Sequence, residues 1–148
     1  MAITQCIPTS FKVDILSAQQ NFSSLSGGPN VYYMALYLST ASLGTGTTAY
    51  TSAGEVPPGT PGYTAGGQAL SISTPPTSGG TTAFISFSNV TWAASTITAR
   101  GAMIYNFTAA GKNAVAIFDF GSDKTSSSSA FTIVFPTADA SNAVLRIA

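Results

Sequence analysis

The hydrophobic pattern changes its period along the chain. In "SFKVDILSAQQNF", Phe11, Ile15, Leu16 and Phe22 stand near helical spacing, which predicts a short amphipathic helix with Ser10 as its N-cap. "SSLSGGPN" then breaks the pattern with Gly27, Gly28 and Pro29. "VYYMALYLSTA" is rich in aromatic and branched residues and too short for a helix, so it predicts a largely buried strand. Residues 42–67 carry little apolar content and many Gly and Pro, which predicts a long loop. Beyond Gln68 the chain alternates apolar and polar: "QALSIST", "TAFISFSNVTW", "STITARGAMIYNF", "AVAIFDFG", "AFTIVFP" and "SNAVLRIA". "PPTSGG", "AAGKN" and the serine run "SDKTSSSSA" read as the turns between them. The expected fold is all-β, an antiparallel sandwich or jelly roll of about seven to eight strands with a short N-terminal helix and the long Gly/Pro loop. Residues 1–148 are expected to form one domain, with 1–9 as an extended arm laid over a neighbour.

Charge sharpens this picture. Only 7% of residues are charged, against about 25% in ordinary soluble chains, and five acids balance five bases. A chain with so little surface charge is expected to show much of its surface to other protein or to coat its exterior with Ser, Thr and Asn. Five scattered cations cannot form a phosphate-binding face, so nucleic acid is not an expected partner. No apolar run is long enough to span a membrane, and the N-terminus lacks the features of a secretory signal. Cys6 is the single cysteine, so no internal disulfide is possible.

Candidate chemistry is sparse. The chain has no histidine, which removes Ser-His-Asp and Cys-His machinery and the commonest transition-metal ligand. Asp119 and Asp123 lack the acidic neighbours of a calcium loop; the plain reading has Asp123 capping a turn and Asp119 paired or partly exposed. "GTPGYTAGG" has the glycines of a phosphate cradle but neither a Lys nor a following helix. Its glycines read instead as turn residues and its prolines as stiffeners. No cofactor, metal or catalytic set is expected, and the chain reads as a non-enzyme. Arg100 is conspicuous inside an apolar strand, where an arginine is costly unless paired. Glu55 and Asp119 are its candidate partners. Either Arg100 pins the long loop through Glu55 or it faces solvent.

Several of these segments together resemble a family of small tailed-bacteriophage proteins that are labelled virion structural or hypothetical proteins. The resemblance rests on "ALY", "EV", "GYTAGG", "TARGAMIYN" and "DFG" and covers nearly the whole chain. Members often carry Gly-x-His near the place of "SAQQNF"; this chain has no histidine there, so no metal or pH role is carried over. The resemblance implies a virion structural protein made in the host cytoplasm. The leading expectation is a capsid decoration (cement) protein, self-associating and bound to the major capsid protein on the outside of the head. The alternatives are a neck, tail or fibre component and, from another class, a glycan-binding adsorption module whose stacking rings would be Tyr32, Tyr33, Tyr63, Trp92 and Tyr105. The residues expected to matter are architectural. Glu55, Gly62, Tyr63, Gly66 and Gly67 shape the loop, and Trp92, Arg100 and Tyr105 anchor it to the sheet.

Overall fold

A computed structural model describes residues 2–24 and 27–148. Among them it holds one helix and nine strands: α1 (Thr9–Leu16), β1 (Tyr32–Tyr37), β2 (Gln68–Leu70), β3 (Ile72–Gly79), β4 (Thr82–Phe87), β5 (Val90–Ser95), β6 (Thr98–Asn106), β7 (Ala114–Thr125), β8 (Ser129–Ile133) and β9 (Leu145–Ile147). The strands form sheets in the orders β2-β1-β6-β7, β3-β4-β9 and β5-β8. Every strand pair is antiparallel. The chain is therefore all-β with one short helix, as its alternation predicts, and the layers are those of a sandwich. Sheets of four, three and two strands do not establish the eight-stranded jelly-roll order.

The four-stranded sheet is covered on both faces. One face carries Tyr32, Met34, Leu36, Ala102 and Ile104 into a large core shared with Ile85, Phe87, Trp92 and Phe131 from the other two sheets. The opposite face carries Ala35, Tyr37, Met103, Tyr105 and Ile117 into a second core with Ile3, Ala41 and Leu43. Neighbouring residues of a strand point to opposite faces. A strand with core on both sides must therefore be apolar throughout, which is why "YYMALY" lacks alternation.

Several local expectations change. α1 ends at Leu16, so Phe22 joins the core from outside it. Pro8, not Ser10, is the N-cap; the Ser10 hydroxyl donates to the Thr47 carbonyl at 3.2 Å. "PPTSGG" is not a break, because Pro75 and Pro76 lie within β3. β3 is a sheet edge with register shifts around its prolines, a place where a missing N–H costs no ladder bond. Asp123 lies in β7 rather than capping a turn. The N-terminal segment is tied to its own chain. Ile3 bridges Leu43, Cys6 bridges Ile117, and Ile3 is buried, so the segment closes the second core of its own chain.

Candidate functional site

The long loop is an interruption of a strand. Leu70, Ala69 and Gln68 pair with Tyr32, Tyr33 and Met34 at one end of β1. At the other end Glu55 bridges Tyr37, and the Val56 N–H donates to the Leu36 carbonyl at 2.9 Å. Residues 57–67 leave the edge of β1 between these two pairings and return to it. The Leu36 N–H falls in the gap, and the Tyr63 hydroxyl accepts from it at 3.0 Å. A side-chain oxygen thus stands in for the missing carbonyl of the ladder.

Glu55 organises the excursion. It sits in extended chain, so Val56 faces the large core while the carboxylate faces the other way. Glu55 is 7% exposed. Its Oε1 accepts from the Tyr63 hydroxyl and from the Gly66 N–H, both at 2.6 Å. Its Oε2 accepts from the Tyr50 hydroxyl at 2.6 Å. Because Tyr63 already accepts from Leu36, its own proton goes to Glu55. Three short donors satisfy a buried carboxylate that has no cation within ion-pair distance among the described residues.

The remaining expected residues close around this group. The Tyr105 hydroxyl donates to the Gly66 carbonyl at 2.8 Å, so β6 holds the loop on its other side. Gly67 has φ +79°, and a Cβ there would overlap the Met34 carbonyl. The loop can approach β1 so closely only because nothing projects from that Cα. Gly62 has φ +79° and lies close on Ser95 of β5, though less tightly, where the Thr96 N–H donates to the Pro61 carbonyl at 2.9 Å. Trp92 is fully buried beneath Tyr63, with ring centroids 6.2 Å apart, and its indole N–H has no partner among the described residues.

Arg100 is the exception. It does not pin the loop; its Nε donates to Asp119 Oδ1 at 2.9 Å on the surface of the neighbouring strand. The register of β6 against β7 shifts between Ala99 and Gly101, and Arg100 sits at that bulge. Its guanidinium reaches across to β7, whereas Glu55 lies beyond β1 on the other side of β6. Arg100 and the Gly121 N–H hold the Asp119 carboxyl below its usual range. Replacing Arg100 with alanine is expected to leave the melting temperature nearly unchanged, since half-exposed ion pairs contribute little. A loss as large as that from disturbing Glu55 would contradict this placement.

Sequence reasoning missed Tyr50 and Tyr37. Tyr50 completes the carboxylate cage, and the Tyr37 hydroxyl donates to the Thr51 carbonyl at 2.7 Å. The available signal was a carboxylate flanked at short range by two tyrosines, Tyr50 and Tyr63, in a loop otherwise poor in large residues. Of the five rings proposed to stack on sugars, Tyr32, Tyr63, Trp92 and Tyr105 are buried and cannot serve. Tyr33 alone is half-exposed, stacked on Phe107 at 4.4 Å.

Burial raises the pKa of the Tyr32, Tyr37, Tyr50, Tyr63 and Tyr105 hydroxyls, and Glu55 raises all but that of Tyr32 further; Tyr105 is pushed up to about 12. The folded chain therefore keeps protons that the unfolded chain releases near pH ~10. The stability carried by these protons is fully present below that pH. It falls as pH rises from there through the folded values. In an alkaline titration, phenolate absorbance from these five tyrosines is expected to appear together with loss of the β circular-dichroism signal. Ionisation of all five with the fold intact would contradict the cage.

The chain matches no protein-family model, no curated protein and no solved structure.

Proposed function

We propose that this chain is a structural protein of a tailed-phage particle, and within that class a decoration protein that clamps the outside of the head lattice. One observation carries the reading. The residues in which the chain resembles the phage family, the Glu55-Val56 pair, "GYTAGG" and Tyr105 of "TARGAMIYN", are the ones that lock the interrupted strand. They act as architecture, and a protein that bears load between capsid subunits is selected for fixed shape. The low charge supports the same reading, because a surface covered by neighbours gains nothing from costly charge desolvation.

Counting copies of the chain in purified particles of the phage that encodes it tests the proposal. Hundreds of copies, removable from heads and able to rebind them, are expected. About six to twelve copies, as one ring of a neck or tail would hold, would replace the decoration role with the neck or tail reading. Absence from particles would overturn the virion reading altogether.

A further inference from the structure

A sheet edge exposes unpaired N–H and C=O groups, and proteins blunt such edges with charge, proline, brevity or a covering segment. The other edges of this fold each carry one of these devices. β2 and β9 are three residues long, and β9 includes Arg146. β3 contains Pro75 and Pro76. β7 is bridged by Cys6 at Ile117 and carries Asp119, Asp123 and Lys124 beyond that bridge. The outer side of β5 is met by the excursion, where Thr96 bonds Pro61. β8 is different. It pairs with β5 alone, and "SSSSAFTIVF" holds neither a charge nor a proline. A hollow of about 510 Å³ lies beside it, between β8 and the far end of β7, so no other element of the chain fills the place of a neighbouring strand.

Hydrogen bonds fix which groups face that free edge. The Ser129 carbonyl accepts from Ser95 Oγ at 3.0 Å, and the Phe135 N–H donates to Asn89 Oδ1 at 2.9 Å, both toward β5. Backbone groups alternate in direction along a strand, so Phe131 and Ile133 also face β5. Ala130, Thr132 and Val134 therefore turn their N–H and C=O groups outward. The Thr91 and Thr132 hydroxyls agree with this, meeting at 2.9 Å as the side chains of a pair without mutual backbone bonds do. The side chains of Ala130, Thr132 and Val134 are exposed as well, Val134 at 70%. This edge is its own complement. We propose that β8 pairs antiparallel with β8 of a second copy about a twofold axis at Thr132. Thr132 then exchanges both backbone bonds with Thr132 of the copy, and Ala130 exchanges both with Val134 of the copy. The small Ala130 meets the larger Val134, and the two Thr91–Thr132 pairs join into one row of hydroxyls. Two two-stranded sheets, a marginal form, become a single four-stranded one. Lys124 is the one charged residue lining the hollow, and its Nζ donates to Ser122 of its own strand at 3.0 Å. The inference stands on the strand edge and holds whether or not the chain belongs to a virion.

Sedimentation of the purified chain over a concentration series tests it. The parent should pass from monomer to dimer. Thr132→Lys and Thr132→Glu each set like charges face to face at the axis, so each should raise the dimer dissociation constant at least about tenfold. Mixed in equal amounts, the two variants should dimerise again, because the axis then joins opposite charges. Thr132 is exposed, so both variants should melt close to the parent. A parent that stays monomeric up to about 1 mM would overturn the proposal. So would a dimer indifferent to both charges, which would assemble through another face, or a mixture of the variants that stays monomeric.

Discussion

Replacing Glu55 with alanine is expected to destabilise the chain by about 3–5 kcal/mol, the range for stranding the partners of a buried charged group. Three donors lose their acceptor at once: the hydroxyls of Tyr50 and Tyr63 and the N–H of Gly66. The buried Tyr63 hydroxyl cannot turn to water, and it cannot swing away without abandoning the Leu36 N–H. For a chain of this length the loss corresponds to a fall in melting temperature of about 10 °C. Glutamine at the same place should cost much less. Its carbonyl oxygen can take the Tyr63 and Gly66 donors, and its amide can donate to the Tyr50 oxygen. What is lost is charge assistance, about 1–2 kcal/mol. Thermal melts of the two variants side by side check the account. Equal losses would mean that the carboxylate acts through charge alone, and no loss in either would mean that the cage is incidental.

Gly67→Ala is expected to be at least as damaging, about 4 kcal/mol. Two penalties add at this position. The backbone lies at φ +79°, where an L-residue is strained, and the new methyl would fall on the Met34 carbonyl and against Ala35. Both obstacles are main chain in the central sheet, so neither can move aside cheaply. Gly59→Ala is the control. It has φ +90° but nothing near its Cβ, so it should show the backbone strain alone, about 1–2 kcal/mol. A denaturant melt that ranks the two equally would show that the close approach of loop and strand contributes nothing.

The strands, the burial of β1 and the existence of the long loop were legible because each depends on local pattern: alternation, an unbroken apolar run, and prolines with glycines at fixed places. Partner choice was not. Glu55 does have the partner that a carboxylate in such a loop suggests, but it is a set of neutral donors rather than Arg100. Telling the two apart requires knowing that β7 and its Asp119 lie beside Arg100, which follows from how β6 and β7 pair. That is a long-range property with no local signature. The place of the N-terminal segment was hidden for the same reason. Nothing in "MAITQCIPTS" marks it as the lid of a second core, because the surface that it covers is assembled from β1, β6 and β7. β3 shows a different failure, since two consecutive prolines suggest a turn and only an edge position makes them compatible with a strand.

The Leu36 amide sits in the middle of the most buried strand, yet a phenol on a glycine-rich excursion shields it rather than a neighbouring strand's carbonyl. Its isotope exchange with solvent deuterium therefore reports how often the excursion lifts, independently of global unfolding. In the intact chain this amide should exchange at the slow rate of the sheet. With Tyr63→Phe it should exchange far faster than the amides that β1 and β6 pair between them. A single backbone proton thus becomes a clock for the opening of a loop that has no regular secondary structure of its own.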